Sequence, residues 1–322
     1  VIAGSGELPI PVDNFRESIR ESGVAVESNL KGFELGLAYM SGELELPNAV
    51  PEKKIPKARP SAESVITDVL ATYPAEAQAI VTEGVKRLVD YQNPAYAKMY
   101  LDRLSEILTI DRERGGERNG WALTVETGRY LALMMSYEDI IRVADLKSRR
   151  SRMERVRADV LAKLDEPIHV TEFLKPGIQE VCDLLPPFMA QRLLSWGIKS
   201  GKLKTLHWGM EVRTTTISGY VKMKILAGLR WWRPYSYRWA VEQGAIKRWL
   251  ALITQAASVN TDLALEVTEL ARLIKGYGST HQRGSANYER ITADLVTPLL
   301  ADPAPDGPTQ IRSALEAALA GP

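Results

Sequence analysis

The chain has 322 residues, 45% of them hydrophobic, with 41 Lys and Arg against 40 Asp and Glu and a formal net charge of +1 at pH 7. That is enough apolar material for one large core or two domains, and a balanced charge gives no global field that recommends nucleic acid or an anionic membrane as partner. The single cysteine, Cys182, excludes internal disulfides and a cysteine-ligated iron–sulfur cluster within the chain, and no apolar run reaches the roughly 18 residues that a membrane span needs.

A cytoplasmic location fits this chemistry. The chain opens on Val1 rather than Met, as a processed product or a piece of a longer protein would. Within residues 1–42, Asp13 or Asn14 caps a short helix carrying Phe15 and Ile19, Gly23 ends it, and Val24 to Val26 reads as a brief apolar strand. One strand and one or two helices cannot make a core, so this α/β piece must dock on something. The Gly4, Ser5, Gly6 turn lacks the rest of a phosphate-binding fingerprint. Residues 43–60, interrupted by Pro47, Pro51, Pro56 and Pro60, read as a linker.

The spacing predicts a helical domain over 61–300. Ser61 caps a helix with Val65 and Val69, beside Ile66 and Leu70, on its apolar side; Pro74 opens the next, carrying Val81, Val85 and Leu88; and Pro94 opens a third with a seam of Ala97, Leu101, Leu104 and Leu108. Asp111 to Asn119 reads as a loop. Trp121 to Met135 is apolar around most of its circumference and predicts a central helix. Ser136 with Asp139 resembles a capping box opening one long helix through Leu164. Its second half carries Lys147, Arg149, Arg150, Arg152, Arg155 and Arg157, read as a solvated face over Met153, Val156 and Val160, partly neutralised by Glu154 and Asp159, or as a surface that meets an acidic partner.

Ile168 to Phe173 and Val212 to Ile217 are β-branched and alternate, so they predict a small paired ribbon. Cys182 lies in an apolar helix with no local base and reads as a small core residue. His169, His207 and His281 are far apart, and no spacing of His, Cys or carboxylates resembles a metal site. Between Ile217 and Ala256 runs an aromatic belt, Tyr220, Trp231, Trp232, Tyr235, Tyr237, Trp239 and Trp249, interleaved with Arg230, Arg233, Arg238, Lys247 and Arg248. It reads as a helix hairpin whose tryptophans fill a core or an interface with arginines at the rim, or as a clamp for a nucleotide or coenzyme A.

Asn260 caps a further helix with Leu263, Val267, Leu270 and Ile274 inward, and Gly276 stands where a left-handed C-cap belongs. Lys275, Thr280, His281, Gln282 and Arg283 then supply donors on a short irregular connection before Ala286 to Leu295 resumes as helix. Two readings fit Lys275, Gly276, Tyr277, Gly278, His281 and Arg283. They hold an anion such as a nucleotide or coenzyme A, or their cations satisfy the last helix carbonyls and pair with nearby carboxylates. Residues 301–322, with Pro-rich Asp302 to Pro308 and a short helix Ile311 to Leu319, read as a detachable tail.

The stretch LIKGYGSTHQRGSANYERI resembles the lysine-glycine-tyrosine-glycine, threonine-histidine, arginine-glycine signature of long beta-type subunits of indolepyruvate:ferredoxin oxidoreductases. YQNPAYAKMYLDRLSEI, GRYLALMMSYEDIIRVADLK, VTEFLKPGIQEVCDLLP and the Arg213 to Trp232 stretch resemble the same proteins in the same order, covering most of Asp90 to Thr292. The N-terminal VIAGSGELPIPVDNFRESIRESGVAVESNLKGFELGLA resembles the close of their gamma-type domain. One departure is Ser279, where that pattern has an aspartate. The resemblance implies a mainly helical fold with a small β element after an α/β remnant. It also implies an accessory or docking role in an enzyme that decarboxylates an aryl-2-oxoacid onto coenzyme A and passes electrons to ferredoxin. Thiamine diphosphate and the iron–sulfur clusters would belong to a large partner subunit, with no cofactor and no catalytic residue in this chain, which alone would be inactive. The alternative is a non-catalytic helical interaction module or a nucleotide or coenzyme A binding domain.

Overall fold

The computed structural model describes residues 11–21, 23, 26–43, 61–163, 166–203, 205–274 and 279–320, and the chain separates into two units, Val1–Ala58 and Arg59–Pro322. The first unit holds helices α1 (Val12–Glu21) and α2 (Val26–Met40). Phe15 stacks on Phe33 with ring centroids 6.2 Å apart, and Arg16 donates to both oxygens of Glu34 at 2.7 and 2.9 Å. Neither helix has a fully buried residue, so the described residues of this piece form no core of their own. Val26, expected in a strand, opens α2 instead. Its neighbours Val24 and Ala25, the Gly4 to Gly6 turn and the prolines of the linker lie outside the described residues.

The second unit is mainly helical. Its first helices start where local chemistry says they should. Ser61 and Ser64 cap α3 (Ala62–Thr72) reciprocally at 3.1 Å each way. Pro74 precedes α4 (Ala75–Tyr91), and Asn93 accepts from the Tyr96 amide at 2.8 Å with Pro94 as the first residue of α5 (Pro94–Glu113). Val65, Val69, Val81, Val85, Leu88, Ala97, Leu104 and Leu108 are buried as their spacing predicts, whereas Leu70 points out. Tyr100 sets how closely these helices pack. Its hydroxyl donates to the Gly128 carbonyl at 3.1 Å, and a Cβ on Gly84 would stand 2.8 Å from that same oxygen.

Asp111 is buried rather than in a loop, because α5 runs past it to Glu113. Its Oδ2 accepts from the Thr124 amide at 2.9 Å and hydroxyl at 2.7 Å, tying the end of α5 to the start of α6 (Ala122–Met135). Helix α6 is buried on several sides, as its composition predicts. The expected capping box dissolves: Asp139 itself caps, accepting from the Arg142 amide at 2.6 Å, while the Ser136 hydroxyl donates back to the Ala132 carbonyl at 2.7 Å. The predicted long helix is therefore two, α7 (Ile140–Lys147) and α8 (Arg150–Asp159).

Much of the basic run here is neutralised internally. Lys147 and Arg152 pair with the nearly buried Glu172, Arg149 with Asp90 and Asp145, and Arg150 with Glu154. Burial pushes Glu172 up, but the two cations outweigh it and hold its carboxyl below the usual range. Val160, expected underneath, is exposed.

Strands β1 (Thr171–Leu174) and β2 (Met210–Arg213) form the predicted ribbon, antiparallel with Thr171 opposite Arg213 and Leu174 opposite Met210. Between them lie α9 (Ile178–Leu184) and α10 (Pro187–Lys199), which enclose a small cluster of Ile178, Cys182 and Ala190. Burial pushes the Cys182 thiol up, which suits a packed rather than reactive cysteine. After β2 comes α11 (Ile217–Gly228), whose Met223 packs with Ala144 and Val212 in another small cluster.

The main core is completed from the far end of the chain by α12 (Tyr237–Val259) and α13 (Thr261–Glu269), the latter capped by Asn260 at 2.6 Å from the Leu263 amide. A 3-10 turn Leu270–Leu273, α14 (Ser279–Ile291), a π turn Thr292–Val296, α15 (Thr297–Ala301) and α16 (Gly307–Ala320) follow. The expected tail is not detached. Ile311 and Leu315 of α16 are fully buried in the main core, worth about 2 kcal/mol each by area.

Candidate functional site

The residues singled out by sequence fare differently. Lys275, Gly276, Tyr277 and Gly278 lie outside the described residues. The irregular connection expected through Thr280 to Arg283 is instead the first turn and a half of α14, so His281 and Arg283, two positions apart, leave the helix in different directions. Arg283 is exposed and His281 half-buried. Burial first, and the charge of Arg238 second, hold the His281 imidazole below its ordinary pKa, keeping it neutral. Gly284 allows this helix to dock, because a Cβ there would fall 2.0 Å from the Leu273 carbonyl oxygen.

Arg238 leads to a constellation that sequence reasoning missed. The aromatic belt reads from sequence as a hairpin with its arginines at the rim or as a ligand clamp, yet Arg233 is only 1% exposed. The 3-10 turn Arg233–Tyr235, closed by Ser236 capping α12 at 3.2 Å from the Trp239 amide, drives this side chain inward. Its guanidinium grips Asp139 with two bonds, Nε to Oδ2 at 2.6 Å and Nη2 to Oδ1 at 3.1 Å. Nη1 donates to Gln92 Oε1 at 2.6 Å and to the Tyr91 carbonyl at 3.1 Å, and the group lies 4.1 Å from the Tyr91 ring centroid. Arg230 likewise donates to the Val89 carbonyl at 2.7 Å. Two arginines from the belt thus satisfy the open carbonyls at the C-terminus of α4, where the helix dipole also favours a cation.

A second ion-pair centre adjoins the first. Arg238 pairs with Glu242 at 2.6 Å and faces Asp183 at 3.8 Å, and it lies 5.6 Å from the Tyr137 ring centroid. Tyr91 and Tyr137 meet edge to face at 5.7 Å, Tyr91 and Tyr96 lie 6.2 Å apart, and Tyr96 packs on Trp239 at 4.8 Å. The Tyr96 hydroxyl passes the network on, donating to the Met135 carbonyl at 2.9 Å while accepting from Gln243, which itself accepts from Arg103 at 2.6 Å.

The electrostatics follow from burial. Asp183 is pushed up to about 6, first by desolvation and further by Glu180, Glu242 and Asp139, with Arg238 pulling the other way. Glu242 is raised as well, again mainly by desolvation. Arg233 loses solvation, but Asp139 together with Tyr91 and Tyr137 more than offsets the loss, so it stays charged. The Tyr91 and Tyr137 hydroxyls are buried without a hydrogen-bond partner among the described residues, and desolvation holds both far above the ordinary phenol range. Such an arrangement joins α4, the turn before α7, α9 and α12. Its charges are spent on one another, and two grooves of the described surface lie elsewhere, on α10 and at Arg112 to Asn119.

No group of three or more His, Cys, Asp and Glu among the described residues is arranged to hold a metal ion. Among those residues no helix is long and apolar enough to cross a membrane.

The outer surface is uneven. Large apolar side chains crowd outward between Phe173 and Tyr235, including Phe173 at 75%, Ile217 at 87%, Ile225 at 66% and Trp231 at 67% exposure. Trp249, by contrast, is fully buried and donates from its indole to the Val267 carbonyl at 3.3 Å.

Residues 77–294 match the model of a protein family described only as a family of unknown function, DUF6537. No curated protein and no solved structure matches the chain.

Proposed function

The chain belongs to that family of unknown function, since the match spans more than half of its length, and on that premise we propose that it is an assembly and docking region of an indolepyruvate or aryl-2-oxoacid ferredoxin oxidoreductase. Within such an assembly the chain carries no cofactor. Thiamine diphosphate and the iron–sulfur clusters reside in a large partner subunit, ferredoxin is met through the complex, and the chain by itself is inactive. The complex works in the cytoplasm.

The enzyme class rests on the resemblance of the stretches between Asp90 and Thr292. The docking role rests on one observation, the concentration of exposed large apolar side chains between Phe173 and Tyr235. Exposed apolar side chains mark contacts with other macromolecules where they gather on one face. The test is purification of the tagged protein from its own cells at low salt, with mass spectrometry of what remains bound and an absorbance scan for iron–sulfur colour. Recovery of a large thiamine and iron–sulfur subunit is the expected result. A colourless, partner-free protein overturns the reading.

A further inference from the structure

Two basic stretches of this unit differ in what becomes of their charge. In and around α7 and α8 Lys147, Arg149, Arg150 and Arg152 find carboxylates of the same chain, Glu172, Asp90, Asp145 and Glu154. From Pro187 to Gly228 the sequence holds seven Lys and Arg but one acidic residue, Glu211. Among the described residues Arg192, Lys199 and Lys202 are exposed and have no carboxylate at ion-pairing distance.

Helix α10 arranges part of this charge into a face. Ala190, Leu193, Leu194 and Gly197 turn inward onto Ile178, Cys182 and Leu203. The opposite side lines a groove of about 720 Å³ with Phe188, Arg192, Ser195, Trp196 and Lys199. Lys202 stands 5.5 Å from the Trp196 ring centroid. Phe188 and Trp196, 62% and 46% exposed, are eight residues apart, about 12 Å along a helix. An aromatic residue at each end with cations between and beside them is complementary to a segment bearing apolar side chains about two turns apart and carboxylates around them.

We infer that the outer face of α10 is a docking site for an acidic protein segment that presents two apolar anchors to Phe188 and Trp196 and carboxylates to Arg192, Lys199 and Lys202. The inference rests on the docking role proposed above and names the chemistry of the partner. The anchors supply apolar burial, and the charge sets the encounter rate and the choice of partner.

The experiment uses the full chain and two synthetic helical peptides, each with two leucines seven positions apart, one flanked by glutamates and the other by lysines in their place. Calorimetry at low salt should show the glutamate peptide binding at least tenfold more tightly than the lysine peptide. Binding should weaken as salt rises, and weaken at least tenfold in the double variant R192E/K199E, whose exposed positions leave the melting temperature unchanged. Equal affinity for the two peptides, or no effect of the double variant, overturns the inference. So does loss of binding to phosphatidylglycerol vesicles or single-stranded DNA in that variant when the glutamate peptide does not bind at all.

Purification from cells separates this inference from the proposal it rests on. If the wild-type chain retains the large subunit and R192E/K199E retains it equally, the face on α10 fails and the oxidoreductase assignment stands. If the wild type retains no such subunit but binds the glutamate peptide as described, the face stands and the assignment fails.

Discussion

The part of the helical unit built from α3 to α6, α12, α13 and α16 and the part between β1 and α11 spend their side chains in opposite ways. In the first, apolar residues from distant stretches meet in one core, and two arginines of the turns leading into α12 point toward it, Arg233 to Asp139 and Arg230 to a helix end. In the second, two small clusters of three buried residues each suffice, and large apolar and cationic side chains face out. The contrast teaches that burial in this protein is divided by role. One region holds the fold and the other is left to be covered.

Three variants would break or sharpen that contrast. The largest effect is expected for Arg233→Met, which strands Asp139 as a buried charge without its partner. Urea unfolding should report a loss of about 3–5 kcal/mol, and a loss below about 1 kcal/mol would mean that Arg233 does not hold the first region together.

Next in size is the pH dependence of Asp183. Its folded pKa, raised to about 6, exceeds the unfolded value of about 3.9, so the folded state binds more protons between the two. Its contribution to stability is therefore fully present below about pH 4 and is lost as pH rises through about 6, by about 1–3 kcal/mol. Asp183→Asn should abolish that slope relative to the wild type when unfolding is followed from pH 4 to 8. An unchanged slope would show that this carboxyl is not the one that titrates. The smallest effect belongs to Ile217→Ser with Ile225→Ser on α11, which should shift stability by less than about 0.5 kcal/mol each while reducing retention of the partner subunit on the affinity column. A large stability loss would place these side chains in a fold-bearing contact.

What could be read from sequence was local. Ser61, Pro74, Pro94 and Asn260 announce helix starts because a cap is decided within three residues, and the stripe Ala97 to Leu108 announces its face by spacing alone. The alternation at residues 168–173 and 212–217 gave the ribbon, with its pairing shifted toward Leu174 and Met210 because Thr214 to Thr216 turn the chain into α11.

The failures were tertiary. Nothing near Arg233 in sequence reveals Asp139, 94 residues upstream, so an arginine beside tryptophans reads as a rim residue until the fold supplies its carboxylate. His281 and Arg238 likewise come within electrostatic reach only after α12 and α14 are placed. The periodicity of Ile311 to Leu319 was visible, but the groove into which Ile311 and Leu315 fit is made by other helices. The signal that could have found the buried cluster was compositional: tyrosines at 91, 96 and 137 and an Arg-Pro turn, all flanking helix ends.

The burial of α16 bears on how the protein is made. A ribosome delivers this helix after every other member of the core it seals, at several residues per second. For some seconds, then, the nascent chain holds α13 with the Ile311 and Leu315 sockets uncovered. During that interval the apolar surface is open to chaperones and to neighbouring nascent chains, and closure of the core waits until α16 itself has left the exit tunnel.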